Sequence, residues 1–232
     1  MVNDILCYLD FIFRSRWPTG LPCRKAIASR NAKIGRAFGA GVKYGLQMGQ
    51  PRQMRNLALI GFMATGKSSV GRWLARRLGF EFVDTDTLIE TRCKRRISEI
   101  FEQEGEAKFR EYERDAVREL AGLSRAVIST GGGLAANEDS LERLKEHCLI
   151  VCLWAGEETI WRRASHNTHR PLLQDADPRQ RIQTLLSART PFYRQADVMV
   201  TTDFRSVKQV AEHVLHEFML VTGESGPVPP VK

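Results

Sequence analysis

Short apolar runs alternate with amphipathic stretches from residue 56 onward, and this alternation predicts an α/β domain. Five short apolar runs, typical of buried parallel strands, lie at 57–60, 82–83, 126–129, 148–153 and 198–201. Between them apolar residues recur at helical spacing, which predicts helices at 67–78, 106–120, 141–146, 157–163, 179–188 and 206–220. Ser98 is expected to cap a shorter helix around residues 100–101. The pattern predicts a parallel sheet with helices on both faces.

Residues suited to binding follow four of these strands. Gly61, Asp84, Gly131 and the region of Trp154 each stand where a predicted strand ends. In open α/β sheets, ligands bind outside the carboxyl ends of the strands. We therefore expect the functional site along this edge, with residues 164–178, which show no periodicity, forming a mobile loop beside it.

The composition is ordinary, but the charge is unevenly distributed. Of 232 residues, 43% are hydrophobic and 27% charged, and no stretch approaches the roughly 20 apolar residues of a membrane-spanning helix. Residues 1–55 carry the whole net charge of +8, while residues 56–232 are balanced. We expect no membrane insertion and no nucleic-acid binding by the body. Five cysteines without short paired spacings indicate neither a disulfide framework nor a zinc site, and are typical of a reducing compartment.

The basic segment 1–55 has three open interpretations. It is a targeting peptide, a disordered arm that contacts an anionic partner, or the product of a start site assigned too early, since Met54 directly precedes the first strand. We expect disorder there, a domain over 56–221 and a flexible tail over 222–232. Removal of residues 1–53 should leave activity and stability nearly unchanged. We expect a cytoplasmic protein, or one directed to an organelle if residues 1–55 are a transit peptide.

Residues 61–68 match the phosphate-binding pattern G-x-x-x-x-G-K-[ST] between a predicted strand and a predicted helix. Backbone N–H groups of such a loop surround a polyphosphate, and the helix N-terminus adds partial positive charge. Lys67 supplies a full charge, and the Ser68 hydroxyl can ligate Mg²⁺. The chain is predicted to bind a nucleoside triphosphate, although the loop does not name the acceptor. The expected ATP contacts here are Gly61, Ala64, Thr65, Gly66, Lys67, Ser68 and Ser69.

Two carboxylates, Asp84 and Asp86, stand at the end of the second predicted strand. In an extended chain, side chains two residues apart point the same way. One carboxylate can then reach Mg²⁺ through water while the other faces an acceptor hydroxyl. The alternative is that Asp86 only caps the following helix.

Four further motifs follow in order, namely Phe-Arg-Glu-Tyr-Glu at 109–113, a triple glycine at 131–133, Asn-Thr-His-Arg-Pro-Leu-Leu at 167–173 and Arg-Thr-Pro-Phe-Tyr at 189–193. With the phosphate loop and Asp84-Thr85-Asp86, they make residues 57–219 closely resemble the shikimate kinase family. The resemblance implies a P-loop kinase of the nucleoside-monophosphate-kinase type, with strand order 2-3-1-4-5 and a mobile lid. It also implies an enzyme that uses ATP and Mg²⁺ to phosphorylate the 3-hydroxyl of shikimate, a step towards chorismate and the aromatic amino acids. We expect this enzyme to be a monomer.

On the acceptor side, the resemblance implies that Asp86 holds the acceptor hydroxyls, either as a base or only as a positioning group. It implies that Arg110 and Arg189 bind the substrate carboxylate and that Glu113 orients Arg110. Planar guanidinium groups suit this task, because they bind a carboxylate through two parallel hydrogen bonds. The backbone of Gly131, Gly132 and Gly133 would approach the ring of the substrate.

On the donor side, the resemblance implies that Lys67 and Arg170 contact the transferring phosphoryl group, with Arg170 carried on the lid. Ser68, and Asp84 through water, would serve Mg²⁺, and Arg163 would stack on adenine. Two alternatives stay open. Another small-molecule kinase of this fold, such as a gluconate kinase, would not need both arginines in these contexts. A regulatory protein built on such a domain would be expected to have lost Lys67, Asp86 or Arg170, and all three are present.

Overall fold

The computed structural model describes residues 52–165 and 177–223. In this part of the chain, five parallel strands form one sheet in the order β2-β3-β1-β4-β5. This arrangement confirms the expected strand order. The strands are β1 (Asn56–Ile60), β2 (Glu81–Asp84), β3 (Ala126–Ser129), β4 (Cys148–Trp154) and β5 (Val198–Thr201).

Helices follow the strands at nearly the expected places. Within the described ranges they are α1 (Lys67–Leu78), α2 (Thr85–Cys93), α3 (Ile97–Leu120), α4 (Glu138–His147), α5 (Glu157–Ala164), α6 (Pro178–Tyr193) and α7 (Val207–Thr222), with a 3₁₀ turn at Leu134–Ala136. Both sides of the sheet carry helices, so the three-layer prediction is confirmed.

Alternation along the central strands divides the core in two. In β1, Ala58 and Ile60 pack into one apolar cluster, which receives side chains from α3, α4 and α6. Leu57 and Leu59 pack into the opposite cluster, which receives side chains from α1 and α7. Because successive side chains of a strand point to opposite faces, a strand that is buried throughout serves both layers.

Two local predictions were wrong. Helix α3 begins at Ile97 rather than at a Ser98 cap, because the Glu99 carboxylate accepts from the Arg96 backbone N–H at 2.9 Å and the Glu90 carboxylate accepts from that of Ile97 at 3.0 Å. Asp84 and Asp86 do not share an extended strand. Strand β2 ends at Asp84 and α2 starts at Thr85, so Asp86 stands in the first helical turn.

The packed body begins before Asn56. The Arg52 guanidinium donates to both Asp197 carboxylate oxygens, at 2.6 and 3.1 Å, and to the carbonyl oxygens of Lys145 and Cys148, at 2.6 and 2.7 Å. Asp197 also accepts from the backbone N–H of Ile150 at 2.8 Å. Arg52 therefore joins the start of β4 to the segment before β5, so removing residues 1–53 deletes native contacts.

Several expectations fall outside the described residues. These are the structure of residues 1–51 and 224–232, the loop motif at 167–173 and the position of Arg170. No helix in the described ranges combines the length and apolar character needed to cross a membrane.

Candidate active site

The phosphate loop connects β1 to α1, and its shape requires glycine at the first position. Gly61 has φ of 137°, and a Cβ there would overlap the carbonyl oxygen of Leu153 on the neighbouring strand β4. The Lys67 ammonium group donates to the carbonyl oxygens of Gly61 and Phe62 at 2.9 and 2.8 Å. Thr65 Oγ1 donates to the Phe62 carbonyl oxygen at 2.9 Å. The ammonium group of Lys67 is thus held against the backbone of the loop.

The N-terminus of α1 is suited to an anion. Gly66 is the N-cap residue and contributes no side-chain hydrogen bond, and the first turn contains no acidic residue. The first N–H groups of a helix lack partners within the helix and carry partial positive charge. The backbone at this helix start can therefore accept a phosphate group.

Asp84 connects the phosphate loop to α2. Its Oδ2 accepts from the Ser68 hydroxyl at 2.8 Å, while its Oδ1 accepts from the backbone N–H groups of Asp86 and Thr87 at 3.2 and 3.4 Å. The helix-capping role, considered for Asp86, thus belongs to Asp84. One carboxylate fixes both a phosphate-loop hydroxyl and the start of the helix that bears Asp86.

Asp86 is partly buried beside this cap. Burial and, after it, the negative charge of Asp84 raise the pKa of Asp86 from 3.8 to about 6, although the positive charge of Lys67 opposes the shift. The carboxylate is ionised for the most part at pH 7 and is markedly more basic than an exposed aspartate. Such a group is suited to accepting a hydrogen bond or a proton from a hydroxyl.

The triple glycine following β3 allows three side chains to approach its backbone closely. A Cβ on Gly131 would overlap Asp86 Oδ1, and a Cβ on Gly133 would overlap Arg110 Nη1. At Gly132, a Cβ would lie 3.7 Å from Arg189 Nη1. One short segment therefore gathers a carboxylate from α2 and two guanidinium groups, from α3 and α6.

Arg110 is held by carboxylates of its own helix. It donates to Glu113 Oε2 and to Glu106 Oε1, both at 2.7 Å. Glu113 is 3% exposed; burial raises its pKa, while the Arg110 guanidinium acts in the opposite direction. The expected pairing of Arg110 with Glu113 is thus present.

Arg189 lies near the C-terminal end of α6. Its Nη1 donates to the Gly132 carbonyl oxygen at 3.2 Å, and its guanidinium carbon lies 5.5 Å from the centre of the Phe62 ring. The Tyr193 hydroxyl donates to the same carbonyl oxygen at 2.9 Å, and burial raises the pKa of Tyr193 to about 12. The end of α6 is thereby attached to the triple glycine.

Arg163 connects the phosphate loop to the turn after β5. It donates to the Ala64 carbonyl oxygen at 3.3 Å and to the side chain and backbone carbonyl of Thr202 at 3.0 and 2.8 Å. Thr202 was not predicted as a site residue, although it directly follows a strand at the carboxyl edge. Thr85, inside a recognised motif, was also missed, and its hydroxyl accepts from the Gly131 backbone N–H at 2.8 Å.

A cleft of about 370 Å³ unites much of this arrangement. Among the expected site residues, its lining includes Ala64, Gly66, Lys67, Ser68, Ser69, Asp84, Asp86, Gly132 and Arg163. Gly61 and Thr65 lie within the loop beneath it, and Gly131, Gly133, Arg110, Glu113 and Arg189 adjoin it through the contacts above. Met63 and Thr130 also line the cleft and were not foreseen.

Comparison with known proteins identifies the family. The family model for shikimate kinase matches residues 63–219. The shikimate kinase of Thermodesulfovibrio yellowstonii is 43% identical over 165 residues, which cover 71% of this chain and 95% of that protein.

Solved structures agree with this assignment. The shikimate kinase of Acinetobacter baumannii, determined in complex with shikimate, has a TM-score of 0.69 and 34% identity, over 75% of this chain and 97% of that one. A gluconokinase from Sinorhizobium meliloti has a TM-score of 0.50 and 17% identity, over 74% of this chain and 96% of that one, and shares the fold alone. The chain belongs to the shikimate kinase family.

Proposed function

We propose that this chain transfers the γ-phosphoryl group of ATP to the 3-hydroxyl of shikimate, giving ADP and shikimate 3-phosphate on the way to chorismate and the aromatic amino acids. The observation that carries the proposal is the placement of a phosphate loop and two arginines around one cleft edge. The loop provides for a polyphosphate, and Arg110 and Arg189 provide for a small carboxylate. The reaction itself is inferred from membership of the shikimate kinase family.

On the donor side, backbone N–H groups at the start of α1 bind the phosphates of ATP. Lys67, which donates to two carbonyl oxygens of the loop, contacts phosphate oxygens of ATP. Arg163, which donates to Ala64 and Thr202, stacks its guanidinium plane on the adenine ring. Arg170 approaches the transferring phosphoryl group from the lid; this role rests on the resemblance alone.

Ser68 and Asp84 fit a Mg²⁺ ion. The described residues contain no group of three or more His, Cys, Asp or Glu side chains that could enclose a metal. Mg²⁺ at kinase sites needs no such group, because one or two protein oxygens, phosphate oxygens and waters complete its octahedron. The Ser68 hydroxyl and the Asp84 carboxylate, 2.8 Å apart, are oxygen ligands of this kind. The bound ion would neutralise phosphate charge.

On the acceptor side, Arg110 and Arg189 bind the carboxylate of shikimate, and Asp86 meets the hydroxyl that attacks phosphorus. Gly131 and Gly133 lie beside Asp86 and Arg110, and a side chain at either glycine would displace its neighbour. Phosphoryl transfer depends mainly on positioning and on neutralisation of charge, and both are provided here. Asp86 acts as a base or only as a positioning group; the Asp86→Asn kinetics described below separate the two.

The proposal includes a monomeric enzyme, as expected from the sequence. The balanced charge of residues 56–232 supports small-molecule substrates rather than a nucleic acid. Cys93, Cys148 and Cys152 are free thiols, which is consistent with action in the cytoplasm.

The test is ADP release measured by a coupled assay on the purified full-length chain. The assay is run with shikimate, with gluconate and without acceptor, each in the presence of MgATP. We expect turnover with shikimate alone. Turnover with gluconate, or an equal rate without any acceptor, contradicts the proposal.

A further inference from the structure

Arg110 is bound by two carboxylates of different character. Glu113 and Glu106 both accept from its guanidinium group at 2.7 Å. Glu113 is 3% exposed, whereas the Glu106 side chain is 67% exposed and that of Arg110 is 25% exposed. Glu113 is therefore a fixed internal partner, and Glu106 is a partner at the rim that water can replace.

The second carboxylate alters the charge that an anionic substrate meets. Arg110 and Glu113 together are close to neutral, and Glu106 makes the group of three net negative. A carboxylate arriving from solvent then meets a guanidinium nitrogen that already has an acceptor, together with a like charge within a few ångströms. Glu113 alone is sufficient to orient the arginine, because its carboxylate is buried.

The backbone of α3 allows the Glu106 pair to open locally. Gly105, with φ of 79° and ψ of 174°, interrupts the helix directly before Glu106. On the other side of this break, Glu104 is held by the Tyr112 hydroxyl at 2.9 Å and by an ion pair with Arg95. Glu106 thus stands in the first turn of a new helical segment, one turn before Arg110, and its side chain can leave for solvent without disturbing Glu104.

We propose that Glu106 is an intramolecular competitor of the substrate carboxylate, occupying part of the Arg110 guanidinium in the ligand-free enzyme and thereby lowering the affinity for the acceptor. This inference rests on the proposed function. The acceptor displaces Glu106 into solvent and leaves the Arg110–Glu113 pair intact. Since exposed ion pairs are weak, the competition is expected to raise the dissociation constant for shikimate about two- to fivefold.

The test is Glu106→Gln, which keeps the size of the side chain and removes its charge. The matched control is Glu111→Gln, because Glu111 is exposed on the same helix and pairs with Lys108 at 2.6 Å. We expect Glu106→Gln to lower both KM and the calorimetric Kd for shikimate about two- to fivefold, with kcat unchanged. Glu111→Gln should leave all three at wild-type values. The effect should shrink with added salt, because the charges involved are partly exposed.

A shikimate analogue whose carboxylate is replaced by hydroxymethyl should bind wild type and Glu106→Gln equally. An unchanged or raised KM in Glu106→Gln overturns the inference, as does an equal gain in Glu111→Gln or with the neutral analogue. Thermal melting of each variant verifies the fold. If the wild-type chain does not phosphorylate shikimate, the proposed function fails first; if it does and Glu106→Gln gains nothing, this inference alone fails.

Discussion

Replacement of Asp86 by asparagine should stabilise the ligand-free protein. Burial and the charge of Asp84 raise the pKa of this carboxyl from 3.8 to about 6. A shift of one pKa unit corresponds to about 1.4 kcal/mol, so ionised Asp86 destabilises the fold at neutral pH by at most roughly 3 kcal/mol. Because the side chain keeps some contact with water, we expect Asp86→Asn to raise the free energy of unfolding by about 1–2 kcal/mol.

The pH dependence of this gain has a definite sign. The folded state holds the Asp86 proton more tightly than the unfolded chain, so the penalty is absent below pH 3.8 and complete above about pH 6. The advantage of asparagine should therefore be near zero at pH 4, grow between pH 4 and 6, and stay constant up to pH 8. A substitution that merely improves packing would give the same gain at every pH.

Urea denaturation of both proteins, without nucleotide or metal, measures this difference. Asp139→Asn is the control, since Asp139 is half-exposed and pairs with Arg143 on the surface of α4. A loss of stability in Asp86→Asn, or a gain independent of pH, would refute the view that the fold holds this carboxylate under electrostatic strain.

The kinetics of Asp86→Asn decide its role in the reaction. If Asp86 takes the proton of the acceptor hydroxyl, kcat should fall by about 10²–10⁴. If it only positions the hydroxyl, asparagine should retain much of the rate, because a loose transition state needs little help from a base. Steady-state rates with saturating MgATP and shikimate give the answer, and normal KM together with normal kcat would exclude both roles.

Three further substitutions test separate contacts. Arg110→Ala should weaken shikimate binding by about 2–5 kcal/mol and leave ATP binding nearly unchanged, with Arg110→Lys recovering only part; a wild-type KM would remove Arg110 from the site. Gly133→Ala should raise the KM for shikimate about tenfold or more, because the added methyl group displaces Arg110. Gly122→Ala is the control and should leave this KM unchanged, because a methyl group there makes only ordinary van der Waals contact. Arg52→Ala should lower the free energy of unfolding by about 1–3 kcal/mol and leave kcat unchanged, because it removes the contacts with Asp197 and Cys148. Urea denaturation measures this, with the surface variant Arg143→Ala, expected to change stability by almost nothing, as the control. If Arg52→Ala is as stable as wild type, the Arg52 contacts do not stabilise the fold.

The sequence was sufficient to predict those helices, strands and loops whose structure follows from a local pattern of residues. Helix α1 and strands β3 and β5 have the predicted bounds, and the phosphate loop lies between β1 and α1 as expected. Strand bounds are marked by short apolar runs that end in glycine or polar residues. The phosphate loop is recognisable because its glycines and lysine have a fixed spacing.

Contacts between residues distant in sequence were not predictable in this way. The Arg52–Asp197 pair joins residues 145 positions apart, and nothing in the basic segment distinguishes Arg52 from its neighbours. The helix cap formed by Asp84 was misassigned because an aspartate on either side of Thr85 fits the N-cap preference equally well. Only the end of β2, fixed by pairing with β3, decides between them.

Asp84 and the triple glycine together connect the phosphate loop, the proposed ATP site, to the helix that bears Asp86 in the proposed shikimate site. Asp84 binds Ser68 of the phosphate loop with one oxygen and caps the helix of Asp86 with the other. Gly131 receives Asp86 and donates its backbone N–H to Thr85 on that same helix. Besides the apolar packing of Ile89 in α2, hydrogen bonds thus connect the helix that bears Asp86 to both the phosphate loop and the triple glycine. If Asp86 meets the attacking hydroxyl as proposed, these directional hydrogen bonds hold its carboxylate in a defined place relative to the phosphate loop that binds the γ-phosphoryl group.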